Sequence, residues 1–361
     1  PNPWTPGRQQ DASEFAKFLL DNIWETIQHS SNLMTYQNLL DKNHKVYNDK
    51  ILDSFVEKHK IDPFFGGLQR NNIKCSKCGN VSSKLEAFTE IPLSLTHDSD
   101  SEIDGKQQDL ELCTTKMMDE HFGGELLCGD NQYMCSRCDV KVDAQKYTEI
   151  VNPPKHLIIC FKRFSWNYQT MKRIKKNDWV NCPLTLDIPI VCDKRTDNDG
   201  DHMLKKHAYD STEESTVKYL LYAAVIHSGR SAEFGHYYTI GRHIKKALKR
   251  YREDSEEDNN EWYMFNDRTV SMSSYDKLCK VSHIYRTDVP YLLFYQRVDE
   301  VDEHGDEEKE KLDEQGNNMN KNSKNNEVDE VDGKEKEKEK EQEDTVKAKE
   351  EEEETMPMHT L

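Results

Sequence analysis

The chain has 361 residues, with 50 Lys and Arg against 68 Asp and Glu and a formal charge of −18. That length builds one large domain or two ordinary ones with a real core. The acidity is local: Asp299 to Leu361 holds 25 acidic and 10 basic residues, which leaves −3 for residues 1–298. A nearly neutral body with no basic face or arm argues against nucleic acid as a partner. No apolar stretch approaches the ~20 residues that span a bilayer, so no membrane association is expected.

The chain begins Pro1-Asn2-Pro3-Trp4, without an initiating Met or a leader-like segment, and reads as N-terminally incomplete. Residues 1–10 read as a loop ending in Gln9-Gln10. A helix is predicted from Asp11, which can cap it, with Glu14 where a capping-box acid belongs. Ala12, Phe15, Leu19, Ile23 and Ile27 recur at helical spacing and give it one apolar face. Residues 30–60 are polar, with part of them helical. Residues 63–67 form a turn, and Leu68 to Lys74 leads to Cys75-x-x-Cys78. Strand-like alternation follows through Phe88, Ile91, Leu93 and Leu95. Residues 96–111 read as a mobile polar insertion. A short helix is predicted over Met117–Leu127, just before Cys135-x-x-Cys138.

Pro153-Pro154 precede the apolar run Leu157–Phe164, predicted as a buried strand. Val180–Ile190 is interrupted by Pro183 and Pro189, so it reads as edge strand or loop. Residues 193–216 read as loop. Further strands are predicted at 219–227, 237–242, 262–266 and 291–297. Helices early and short strands late make an α+β pattern. Beyond Asp299 apolar residues almost vanish. That segment reads as a disordered charged tail, with a single extended helix over 334–354 as the alternative.

Ten cysteines divide into the two Cys-x-x-Cys pairs and six single residues. This usage fits a reducing compartment, cytoplasmic or nuclear, and a metal site in place of disulfides. Cys75, Cys78, Cys135 and Cys138 together supply four thiolates, which suits a closed, structural zinc. Gly79 favours the tight turn after the first pair. Redox dithiols or unrelated buried cysteines are the alternatives. Gly235-His236 at the head of one predicted strand, and Asn266-Asp267 at the end of another, could present a general base and its orienting partner. A satisfied histidine and a plain turn are the bland readings of the same residues.

Taken in order, these motifs resemble the ubiquitin-specific proteases. Gln9-Gln10-Asp11-Ala12-Ser13-Glu14-Phe15 is similar to that family's glutamine-rich box. The two Cys pairs resemble its zinc knuckles, and Lys162-Arg163-Phe164 its closing pattern after a buried strand. His227 through Tyr237 resembles the His box, Trp262 through Asp267 the third catalytic box, and Pro290 through Tyr295 the last strand. The resemblance covers roughly residues 8–297.

It implies a papain-like cysteine protease fold with thumb, palm and zinc-bearing fingers, the thumb incomplete. Residues 1–298 would form the catalytic domain, with fingers near 68–150 and palm near 151–298, and 299–361 the tail. The implied activity is thiol-dependent hydrolysis of isopeptide bonds at ubiquitin's C-terminal Gly, acting on ubiquitinated proteins. By carry-over His236 is the base, Asn266 its orienting residue and Asp267 an auxiliary. Gln10, Asp11 and Glu14 would meet the ubiquitin tail. The family's nucleophile lies in an Asn-x-x-Cys box upstream of the glutamine-rich box, and none of the single cysteines here has that setting. An inactive chain as it stands is therefore expected, with a non-catalytic ubiquitin-binding scaffold as the alternative reading. A zinc-stabilised interaction domain unrelated to ubiquitin is the third.

Overall fold

Asp11 opens the first helix, α1 (Ala12–His29). Its Oδ1 accepts from the backbone N–H of Ser13 at 2.8 Å and of Glu14 at 3.2 Å. Two of the donors that a helix N-terminus leaves open are thereby satisfied. Ala12 and Leu20 pack on Ile158, Cys160, Tyr291 and Leu292. Ser13 Oγ donates to Glu90 at 2.7 Å, and Lys17 pairs with the same carboxylate at 2.6 Å. The remaining apolar stripe is open: Phe15, Leu19 and Ile23 are 48, 44 and 47% exposed. The computed structural model describes residues 11–29, 61–62, 64–95, 112–193, 212–253 and 261–298. The readings for 1–10, 30–60, 96–111, 194–211 and the tail lie outside these residues.

Strands β1 (Gly67–Cys75), β2 (Val81–Phe88) and β3 (Glu90–Leu93) follow. Helix α2 (Thr114–Gly123) comes next, and it ends earlier than predicted. Gly124 stops it at φ 83°, where any Cβ would collide with the Lys146 carbonyl. Residues 125–127 become β4 (Glu125–Leu127) instead. Then come β5 (Tyr133–Cys135), β6 (Val140–Val142) and β7 (Ala144–Asn152). β1 lies between β2 and β7, antiparallel to both, and β4 pairs with β7.

The first half thus holds more strand than the sequence pattern indicates. Asn72, 1% exposed, shows why. It donates to Glu149 and accepts from Ser83 Oγ, at 2.7 and 2.6 Å. Asn71 likewise bridges Glu86 and Thr148. Polar cross-strand pairs stand where apolar alternation would have announced a strand.

β8 (His156–Phe161) is the buried strand expected from Leu157 onward. A hairpin follows, β9 (Phe164–Asn167) and β10 (Lys172–Lys175). β11 (Thr185–Asp193) pairs with β12 (Thr212–Ser228) along its length and meets β7 at one parallel bridge, Ile190 with Ile150. That nearly vacant edge accommodates Pro189. Residues 212–216, read as loop, are strand, because β11 supplies their partners. The rest is β13 (His236–Arg242), α3 (Ile244–Arg252), β14 (Trp262–Asn266), β15 (Thr269–Ser273), α4 (Tyr275–Cys279), α5 (Val281–Ile284) and β16 (Val289–Arg297).

β12 organises this half. Residues 219–220 pair with both β11 and β16, and residues 223–227 with both β13 and β16. A strand has two edges, so β11 and β13 must follow each other along one and β16 takes the other. β16 passes pairing to β8, and β8 to β3, while β13 leads to the β14–β15 hairpin. Phe161, Tyr219, Trp262, Leu293 and Tyr295 are fully buried in the main core, each stabilising by roughly 1.5–3 kcal/mol.

Arg163 is buried too. Its Nε donates to the Pro290 carbonyl and its Nη1 to those of Lys176 and Asp178 at 3.1 and 2.9 Å. Burial pulls the guanidinium down to about 10. Arg163→Met would leave these carbonyls without their donor, and a loss of about 3 kcal/mol or more in urea unfolding is expected. The exposed stripe of α1 predicts the opposite behaviour. Leu19→Gln with Ile23→Gln should raise the soluble concentration while changing stability by no more than about 0.5 kcal/mol per site.

Candidate active site and metal centre

The two Cys-x-x-Cys turns bring their sulfurs together. Sγ of Cys75 lies 4.0 Å from that of Cys138, and Sγ of Cys78 lies 3.7 Å from that of Cys135. All four lie within 4.8 Å of one another. A tetrahedral ion with metal–sulfur bonds of ~2.3 Å has sulfur–sulfur edges of ~3.8 Å, so the cage fits a metal and is too wide for disulfides. Both turns use the same backbone device. Gly79 at φ 69° donates its N–H to the Cys75 carbonyl at 2.9 Å, and Asp139 at φ 53° donates to the Cys135 carbonyl at 2.8 Å. Gly79 is legible in the sequence; Asp139 in a left-handed turn is not. A backbone N–H from Cys138 favours the Cys135 thiolate, while the hydrogen bond with Cys78 holds the Cys138 thiol protonated; a bound cation would have to displace that proton.

Farther along the same edge of β12, register sets the second site. β13 begins at His236, paired with Ser228 of β12, and β14 ends at Asn266, one residue beyond the Thr239–Phe265 pair. His236 Nε2 lies 2.6 Å from Asn266 Oδ1. An amide oxygen only accepts, so Nε2 carries the proton and Nδ1 keeps its lone pair. Asp267 Oδ2 is farther away, 3.8 Å from Nε2. Asp267 makes the turn at φ 50°, so that Thr269 can pair back to Asn266. The imidazole is open to solvent, with 45% of its side chain exposed. His227, nine residues earlier, has the reverse environment. It is buried against Phe164 and Tyr237, and burial drives it down to about 4, so it stays neutral. A Cβ on Gly235 would run into its ring.

Asp11 belongs to a third group. Besides capping α1, both of its carboxylate oxygens accept from the Tyr291 hydroxyl at 2.8 Å. Tyr291 sits in an apolar run, and the sequence gives no hint of this role. Glu14 is exposed on the first turn of α1. Gln10 lies outside the described residues.

A family model described as Ubiquitin carboxyl-terminal hydrolase matches residues 2–295. Human ubiquitin carboxyl-terminal hydrolase 35 is 34% identical over 175 residues, 48% of this chain and 15% of that protein. Hydrolase 9 of Saccharomyces cerevisiae is 27% identical over 80% of this chain and 31% of its own length. Human hydrolase 3 is 26% identical over 80% of this chain and 48% of its own length. The chain therefore spans less than half of each of these relatives. The fold is similar to a chain of the SAGA Ubp8/Sgf11/Sus1/Sgf73 DUB module bound to ubiquitin aldehyde. The TM-score is 0.52 at 21% identity, covering 82% of this chain and 50% of that one.

The cage predicts a stoichiometric, chelator-sensitive ion. One metal per chain is expected by elemental analysis, and its removal should loosen β5 and β6 while β12 and β16 keep their hydrogen-exchange protection. Cys135→Ser should reproduce the effect.

Proposed function

We propose that this chain, a member of the ubiquitin carboxyl-terminal hydrolase family, supplies the base and the ubiquitin-holding surfaces of a thiol-dependent deubiquitinase. The observation that carries this is the 2.6 Å contact that fixes His236 with Nε2–H on Asn266 and Nδ1 available. In that state Nδ1 can take a thiol proton as the sulfur attacks the carbonyl carbon of ubiquitin's terminal Gly. The same nitrogen then gives the proton to the departing lysine amine. In the second half it removes a proton from water as water cleaves the thioester. Asn266 holds the ring's tautomer and plane throughout. Asp267, farther from the ring and more exposed, supports the charged imidazolium from its edge.

None of the described cysteines bonds to His236. Cys160 and Cys182 are buried, and burial raises both thiols to about 12. Cys113 is engaged with Thr115 and Asn181. The nucleophile is accordingly assigned outside the described residues. The same observation favours a second reading, a ubiquitin-binding scaffold without turnover. In both readings Asp11 and Glu14 face ubiquitin's basic tail, and Gln10, the residue before Asp11 in the sequence, is assigned to the same role. Zinc held by Cys75, Cys78, Cys135 and Cys138 would supply structural cross-linking of the finger strands.

Binding and turnover separate these readings. The chain is expected to bind ubiquitin with micromolar affinity. Asp11→Asn keeps the helix cap, since Asn caps as well as Asp, but removes the charge, and Kd should rise about tenfold. Absence of binding by the folded wild-type chain would overturn both readings. In a protein that turns over a ubiquitin amide reporter, Asn266→Ala should lower kcat by about 10²-fold or more with KM little changed. A longer natural form that binds ubiquitin yet never cleaves the reporter would establish the scaffold.

A further inference from the structure

The loop that delivers His236 leaves β12 at Ser228 and ends at Gly235. Its two ends are pinched together. Gly229 sits at φ 127°, and a side chain there would press on the backbone of Phe234 and Gly235. The pinch is held from outside by Lys175, the last residue of β10. Its Nζ donates to the carbonyls of His227 at 3.1 Å, Gly229 at 2.7 Å and Thr287 at 2.6 Å. An ammonium has three N–H donors, and all three go to backbone: two at the base of the His236 loop, one on the segment entering β16. Beside it Asp288, 9% exposed, accepts from Ser228 Oγ at 2.6 Å and from the Tyr238 hydroxyl at 2.9 Å. Tyr238 lies two residues beyond His236 on the same strand. One cation and one anion thus fix both sides of the segment that carries the imidazole.

We infer that Lys175 is a positioning residue for His236: by tying two backbone carbonyls at the base of the 229–235 loop to a third on the segment entering β16, it keeps the imidazole directed at Asn266. It acts through backbone, without touching His236. The inference rests on His236 being the base, but it can be tested without turnover.

The charged and titratable groups facing Lys175 are the Arg163 guanidinium, the Asp288 carboxylate and the neutral ring of His227. Burial, then Arg163, pull the ammonium down to about 8, with Asp288 opposing. As pH rises through about 8, the group loses its charge and one of its three donors. Its linked effect on folding has the other sign. An unfolded lysine keeps its proton to about 10.5, so between about 8 and 10.5 rising pH favours the folded state on this residue's account. Loosening of the loop and global stability therefore move in opposite directions, so a change at His236 above pH 8 is distinguishable from general unfolding.

The test follows the ring-nitrogen shifts of His236 by NMR in the ¹⁵N-labelled chain, with thermal melts alongside. The wild type should show the Nε2–H tautomer at neutral pH and lose the preference with a midpoint near 8. Lys175→Arg keeps a cation that does not titrate in this range, and should hold the tautomer to higher pH. Lys175→Met should lower the tautomer ratio about tenfold already at neutral pH, the equivalent of one hydrogen bond. A Met variant that melts like the wild type and keeps its His236 shifts overturns the inference. So does an Arg variant whose His236 shifts follow the wild type at every pH, and this arm decides alone if the Met variant does not fold. Absence of ubiquitin binding or turnover would count against the proposed function and leave these shifts readable.

Discussion

Everything described here depends on a strand having only two edges. β12 must serve three partners, and it does so by length: β11 and β13 share one edge in succession while β16 fills the other. This division joins two regions that would otherwise be separate. Through β11 and its single bridge to β7 the chain reaches the sheet that carries the cysteine cage. Through β13 and β14 it reaches the histidine and its amide partner. A slip of one residue between β12 and β13 would turn His236 to the opposite face, so the register of one pair decides whether the site exists.

Two histidines on this short stretch show how environment separates roles that residue type cannot. His227 packs against two aromatic rings, and burial keeps it neutral near pH 7. His236 stands in solvent with one nitrogen engaged and the other open. Gly235 is what allows both, because only a residue without a side chain leaves room for the buried ring beneath the loop.

Some of this was legible in the amino-acid sequence. Asp11 as a cap could be read because capping is local, fixed by residue type and spacing. The cysteine pairs could be read because thiolates at that interval have few other uses. The buried strand at Leu157 and the strand ends at His236 and Asn266 stood out by their apolar flanks. Other features could not be read, because their partners come from far away in the chain. Thr212 to Thr216 carry no apolar signal, and become strand only because β11 lies beside them. Asn72 looks like a turn residue until Glu149 and Ser83 satisfy it. Tyr291 looks like core, and Lys175 like an ordinary surface lysine, until the fold brings a carboxylate to the one and three carbonyls to the other.

The closed base of the 229–235 loop has a consequence for variation within the family. When a loop's two ends are fixed to each other, its length costs little: each doubling adds only about 0.6 kcal/mol of closure entropy. The intervening residues, Arg230 to Phe234, can then be replaced or extended like an interchangeable cassette while the histidine stays where it is. Relatives sharing this clasp would be able to diversify the loop without displacing the histidine that follows it.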